Sequence, residues 1–498
     1  MILVPNLQLP SNGSKLFWIC ALMVCLFSSC DLFKKAQPSN PDDVINEKEK
    51  DLDPIQGKRV FDPETGTYVF IEETPTEKMD TIVWKRLAEN DYPPITSETS
   101  FFVDSELSSE VIGEDTRFGG QFLSSYRISL MLPFLTNRFD ATSGNRSENS
   151  DYALNFYGGA RMALEELGAE GIKLQVDVFD SKANDRVVYD ILRNNSTIAE
   201  SHLIIGPYQK QNVRMVADYA KQREIPFVSP YSSSANLSMQ NPFYLQVSPP
   251  LRAHCEAILS NALDRFQPEQ IVLVARDKKE ELERFEYFQN AYKQSTEDGI
   301  VEPLEEFIIS SKSVDLEEMD LLPFFELKDT MVFIVPSFSN ETFIYNFLRK
   351  LDLARTPGGY VIVYGMPQWM EYEKIDYDYY EKLNVTVSSD AYINPQADAV
   401  RFFRKRFFDR YGAIPSKDAF LGYDITLFFG RMLQKYGTRF QYYLDQEVNQ
   451  YLHTKFEILP EVAKTSRFGL EKFDINQFQN KFLNILEFED YQFQPKPY

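Results

Sequence analysis

Residues whose type and spacing could drive a reaction are scarce in this chain of 498 residues. Its three histidines, His202, His254 and His453, are too few and too scattered for a histidine-rich metal site. No Gly-x-Ser-x-Gly elbow, no Gly-x-x-x-x-Gly-Lys phosphate loop and no His-Glu-x-x-His pair occurs. Carboxylates number 74, so close pairs arise by chance and no glycosidase pair can be argued from them. Three of the four cysteines, Cys20, Cys25 and Cys30, fall at the start, and Cys255 stands alone in the body. One cysteine builds no disulfide framework, and Cys255 reads as a small buried hydrophobe. The formal charge is 52 − 74 = −22, and an acidic chain lacks the basic face that nucleic acid demands. The residues give no support to an enzyme, and no catalysis, no metal and no other cofactor is expected.

The elements that would position a binding site begin after an unusual start. Lys15 precedes an apolar run over residues 16–27, the length of a signal-peptide core. A spanning helix needs about 20 apolar residues, so a permanent transmembrane anchor is not expected. The run closes with Leu26-Phe27-Ser28-Ser29-Cys30, which resembles the lipobox of bacterial lipoproteins. That resemblance implies cleavage after residue 29 and lipid on the Cys30 thiol, although Phe27 is bulkier than usual at its place. The competing reading is an ordinary secretory signal with an incidental cysteine. Acyl chains supply about 0.8 kcal/mol per buried methylene, so two or three hold firmly. The expected location is the cell envelope, lipid-anchored on the periplasmic or outer face of a bacterial membrane.

Residues 31–125 carry 10 basic and 21 acidic side chains, 10 − 21 = −11, and read with Cys30 as a lipidated acidic tether. Within it, 59–61 and 68–71 flank Asp62-Pro63-Glu64-Thr65-Gly66, a turn composition that predicts a small β-hairpin. Residues 81–84 could add a third strand. From residue 126 onward strands and helices alternate. Apolar runs at 128–134, 172–179, 203–205 and 225–228 predict strands, separated by helical patterns at 153–167, 186–193 and 213–223. The alternation restarts with strands at 270–275, 306–309, 331–335 and 360–363. The predicted class is α/β: two doubly wound parallel-sheet lobes joined by a hinge. Lobe one is expected over 126–248 and 395–455, lobe two over 249–394 and 456–498, with hinges near 247–251 and 392–395. The run 372–380 sets tyrosines among acids and reads as a surface segment.

The stretch SHLIIGPYQKQNVRMVADYAKQREIPFVSPYSSSANL resembles lobe one of type I periplasmic binding proteins, the leucine/isoleucine/valine-binding group. Asn241-Pro242-Phe243-Tyr244-Leu245-Gln246-Val247-Ser248-Pro249 is similar to that family's exit into the hinge. Ala419-Phe420-Leu421-Gly422-Tyr423-Asp424 is similar to its returning helix. The resemblance covers roughly 126–498 and implies that lobe one holds a ligand carboxylate with hydroxyls and N–H groups at helix starts. It places Tyr208, Lys210, Ser229, Ser232 and Ser233 there, with Lys210 where the family has serine. The 229–234 loop reads equally well as a helix cap. In lobe two the resemblance marks Asp277 for a ligand ammonium, and neutral Gln368 where a second acid is common. Trp369 beside it could stack on a flat ligand.

Two functions follow from this. The leading one is an extracytoplasmic solute-binding lipoprotein that closes around a small polar, amino-acid-like ligand, for an ABC permease or a sensor. The alternative is a non-catalytic docking lipoprotein that activates a peptidoglycan-synthesis enzyme of the envelope.

Overall fold

The computed structural model describes residues 109–496 apart from 141, 144–146, 235–236, 297–300, 311–318, 326–329, 356–358 and 463–474, and the backbone of 57–62 and 67–72. The expected signal peptide, Cys30, most of the acidic tether and the strand expected at 81–84 lie outside the described residues. The chain divides into two units, 1–100 and 101–498. In the first, β1 (Gly57–Asp62) pairs antiparallel with β2 (Thr67–Glu72), Gly57 opposite Glu72.

The folded body of the second unit starts before residue 126. β3 (Val111–Asp115) and β4 (Gly120–Leu123) form a hairpin that the composition had placed in the tether. It is held by aromatic and polar groups far downstream: Phe118 stacks on Tyr442 with ring centroids 4.5 Å apart, and the Tyr443 hydroxyl donates to Asp115 at 2.9 Å. The Gln121 N–H donates to Thr438, 317 residues later, at 3.0 Å. A local charge count cannot register partners at that separation.

Lobe one opens with β5 (Tyr126–Leu132), α1 (Asp151–Ala169), β6 (Leu174–Asp180), α2 (Asp185–Asn194) and α3 (Ser196–Ala199). It continues with β7 (Leu203–Ile205), α4 (Lys210–Arg223), β8 (Phe227–Ser229) and β9 (Tyr244–Gln246). Lobe two contains α5 (Leu251–Arg265), β10 (Ile271–Arg276), α6 (Lys279–Ser295), β11 (Glu305–Ile309) and β12 (Thr330–Ile334). It goes on with α7 (Glu341–Ala354), β13 (Tyr360–Gly365), α8 (Tyr377–Lys382) and β14 (Thr386–Ser389). The chain then returns to lobe one with α9 (Asp398–Tyr411) and α10 (Lys417–Tyr436). Short strands β15 (Asn449–Gln450) and β16 (Lys455–Phe456) precede β17 (Ile458–Val462), β18 (Ile475–Asn480), β19 (Asn484–Glu489) and β20 (Gln492–Pro495).

Each lobe is built on a mixed, mainly parallel seven-stranded sheet, in the orders β17-β18-β9-β8-β7-β5-β6 and β11-β10-β12-β13-β14-β19-β20. The parallel strands are covered on both faces, which is why Ile271–Arg276 is apolar almost throughout and wholly buried. Antiparallel pairing enters only where the returning chain adds edge strands, β17 against β18 and β19 against β14 and β20. The expected lobe boundary at 456 is therefore corrected. β17 and β18 belong to the lobe-one sheet, Phe456 of β16 packs in the same core, and the chain crosses to lobe two only between Asn480 and Asn484. Three crossings join the lobes: 247–250, 390–397 and 481–483. Some helix starts carry side-chain caps; the Asn184 side chain accepts from the Arg186 and Val187 N–H groups, and Ser416 accepts from the Asp418 N–H. Cys255 is fully buried in the lobe-two core, and burial pushes its thiol up to about 12. Among the described residues no helix is long and apolar enough to cross a membrane.

Candidate functional site

In sheets of this kind the crevice lies beyond the carboxyl ends of the strands. On the lobe-one side three tyrosines meet there. Tyr152 comes from the first turn of α1, Tyr208 from the loop after β7 and Tyr231 from the loop after β8. Their centroids lie 4.9 Å (Tyr152–Tyr208), 5.6 Å (Tyr152–Tyr231) and 6.1 Å (Tyr208–Tyr231) apart, all edge-to-face. The Tyr231 hydroxyl donates to Asp418 at 2.9 Å. Burial, followed by the nearby Asp418 charge, holds the Tyr231 phenol well above its usual range, so it remains a donor. The Tyr152 hydroxyl is buried with no hydrogen-bond partner among the described residues.

Beside this wall a cavity of about 170 Å³ sits at the base of the cleft. It is lined by Pro230, Tyr231, Val247, Ser248, Asp390, Ala391, Lys417, Asp418, Leu421, His453 and Thr454. Two of the three crossings thus form its floor. The hinge is tied by its own polar groups. The Ser248 hydroxyl donates to Asp390 at 3.2 Å, the Thr454 hydroxyl to the Asp390 carbonyl at 2.7 Å, and the Tyr392 N–H to the His453 carbonyl at 2.7 Å. His453 is fixed by buried Asp424, which accepts from the His453 N–H at 2.9 Å and lies 2.5 Å from its Nδ1. Across the cleft the Lys417 ammonium of lobe one donates to Glu371 of lobe two at 2.9 Å, and Glu371 raises the lysine's pKa. That pair is exposed and contributes about 0–1 kcal/mol to closure.

Of the residues singled out by the sequence, Tyr208 joins the aromatic wall, 41% exposed. Ser229 and Ser232 are buried beneath the loop, and Ser233 is exposed. Lys210 is the exposed first residue of α4; Asp277 and Gln368 are exposed after β10 and β13. None of these lines the cavity. Trp369 is corrected outright: it is fully buried, its indole N–H donates to the Ser337 carbonyl at 2.8 Å, and it stacks on Tyr380. A ring held in a core cannot stack on a ligand. The 372–380 run is likewise not a mere surface segment, because Tyr380 is fully buried and donates to the Trp369 carbonyl at 3.0 Å. The cavity residues the sequence reading passed over flank motifs it did notice. Ser248 lies in the hinge-exit motif, Lys417 and Asp418 open α10 just before its Ala419–Asp424 motif, and Asp390 precedes the expected second hinge. His202 is structural: its Nδ1 accepts the Arg127 N–H at 2.8 Å, and burial with the Arg127 charge lowers its pKa to about 4.

A family model, the receptor family ligand binding region, matches residues 157–457, which includes Tyr208, Tyr231 and every cavity residue. The chain belongs to this family. Its two lobes and three crossings are the type I periplasmic binding protein fold that the resemblance implied. Similar solved structures include a protein assigned to branched-chain amino acid ABC transport in Rhodospirillum rubrum. It is 13% identical with a TM-score of 0.55, covering 75% of this chain and all of that one (100%). Another is an ABC transporter substrate-binding protein of Desulfitobacterium hafniense in complex with Leu, 16% identical with a TM-score of 0.47 over 75% of this chain and 100% of that one. Likeness at 13% identity establishes the fold alone. No curated protein matches the sequence.

Proposed function

We propose that this family member is an extracytoplasmic solute-binding protein whose lobes close on a small ligand at the base of the cleft. The observation that carries the reading is the cavity of about 170 Å³ bounded by lobe one and two of the three crossings. A ligand there touches the backbone that must bend when the lobes move, so occupancy and closure are coupled. Delivery to an ABC permease agrees with the description of the similar Rhodospirillum rubrum protein. A second reading, docking to an envelope enzyme, draws on the fact that none of the resemblance-marked positions lines the cavity and Trp369 is buried.

Thermal unfolding against a panel of amino acids, amines and small organic acids separates the two. A ligand at one hundred times its dissociation constant adds about 2.7 kcal/mol, readily visible as a shift in Tm. Solute binding requires at least one such shift. A flat response to the whole panel, with retained affinity for envelope enzymes, would transfer the assignment to docking.

We further propose that Cys30 carries lipid. Cys30→Ser is expected to move the protein from the membrane fraction to the soluble extract of the producing cells. Persistence in the membrane fraction without detergent would remove the anchor from the account.

A further inference from the structure

We infer that the hinge cavity selects a small organic cation, an alkylammonium of about the size of choline, in preference to an amino acid or an organic acid. The inference rests on the solute-binding reading and adds the ligand's charge to it. Asp390 and Asp418 both line the cavity. Neither forms an ion pair among the described residues; Asp390 accepts from the Ser248 hydroxyl, and Asp418 from the hydroxyls of Tyr231 and Ser416. The one cation on the wall, Lys417, is bound across the cleft to Glu371 at 2.9 Å. Along the wall two carboxylates therefore stand against one ammonium, 1 − 2 = −1, and that ammonium is already taken by Glu371 from outside the lining. His254, which bonds Ser388 of β14 at 2.9 Å and feels the Asp390 charge, adds nothing to the balance. Its burial lowers its pKa and keeps it neutral.

The shape of the site agrees with its charge. Tyr231 lines the cavity with Tyr152 and Tyr208 packed around it, and aromatic faces attract cations within about 6 Å of the ring centre. A dry cavity of about 150 Å³ holds benzene. The space here, about 170 Å³, accordingly suits a ligand of roughly six or seven heavy atoms. A zwitterion fits the balance poorly. The groups marked for a ligand carboxylate, Lys210 and Ser233, do not line this space, and Lys417 already has a carboxylate. A metal ion fits poorly too, because no group of three or more ligating side chains occurs among the described residues.

The test uses the full chain, with choline, tetramethylammonium and putrescine as cationic probes and leucine and benzoate as comparators. Binding is read by calorimetry at about 0.15 M salt, where a Debye length of about 8 Å screens general attraction to the acidic chain. At least one amine is expected to bind, and Asp390→Asn and Asp418→Asn should each weaken it by about tenfold to a hundredfold. Asparagine still accepts the Ser248 and Tyr231 hydroxyls, so both variants should keep the wild-type Tm. Asp277→Asn, outside the cavity, should leave affinity unchanged. Leucine or benzoate binding without any amine overturns the cation assignment and leaves solute binding standing. An amine whose affinity ignores both substitutions overturns the site. No binding by any probe overturns the cation assignment, while the solute-binding reading falls only if the broader thermal-unfolding panel is flat as well.

Discussion

Replacing Gly159 by alanine should destabilise lobe one by about 3 kcal/mol, against the usual trend for a glycine inside a helix. Ordinarily such a change gains about 0.5–1 kcal/mol, because alanine loses less backbone entropy on folding. Here α1 and α10 cross in backbone contact. A Cβ on Gly159 would stand 1.8 Å from the Ala419 carbonyl oxygen and 2.9 Å from the Tyr423 nitrogen. The contact is reciprocal, since a Cβ on Gly422 would stand 2.1 Å from the Phe156 carbonyl oxygen. Neither neighbour is a side-chain tip that can swing aside, so the helices must separate, and overpacking costs of about 1–3 kcal/mol or more apply. Separation also loosens Phe156, Ala419 and Phe420, all buried along that seam. Gly168 in the last turn of the same helix supplies the contrast, because a Cβ there meets nothing within 4 Å. Urea unfolding should show Gly168→Ala neutral or stabilising and Gly159→Ala strongly destabilising. Equal stabilities would refute the close crossing.

The same helices show what a sequence does and does not carry. The strand–helix alternation from 128 to 363 was legible because parallel strands buried on both faces become apolar runs, as in β10 and β12. β18 was not legible. Its sequence INQFQN looks like a loop, yet Gln477, Gln479 and Asn480 are all buried. The Gln477 and Gln479 amides donate to the Gln246 side chain at 3.1 and 3.4 Å, an arrangement that only the neighbouring strand supplies. That hidden strand is why the lobe boundary expected at 456 moved past Asn480. Trp369 failed for a related reason, since an aromatic after a strand serves a core or a ligand equally well until the partner of its N–H is known. The cavity draws on the segments around Tyr231, Ser248, Asp390, Asp418 and His453, and no spacing rule joins positions so far apart in the chain. The resemblance located the cleft, and the residues inside it had to come from the fold.

Glu281→Gln should cost lobe two about 3–5 kcal/mol at neutral pH. Glu281 and Arg276 are 2% and 5% exposed at the carboxyl end of β10, where the Arg276 guanidinium bonds Oε1 and its N–H bonds Oε2 at 3.0 Å. Arg284, also buried, faces the same carboxylate and donates to the Pro336 carbonyl at 2.6 Å. Removing the single negative charge leaves two guanidiniums out of water, which is the expensive way to break a buried pair. The pH dependence gives an independent readout. Burial pushes the Glu281 carboxyl up, but the hydrogen bonds from Arg276 outweigh it and hold the group below its usual value. A depressed folded pKa means the contribution is complete above the unfolded value of about 4.3 and is lost as the pH falls through the folded one. Wild type and Glu281→Gln should therefore differ most near pH 7 and converge under acid. The double variant Arg276→Met with Glu281→Leu should recover much of the loss, because apolar groups of similar volume need no counter-charge. Denaturant unfolding at pH 7 that finds Glu281→Gln within 1 kcal/mol of wild type, or a gap that persists unchanged into acid, would show that this buried pair does not anchor the strand end beside Asp277.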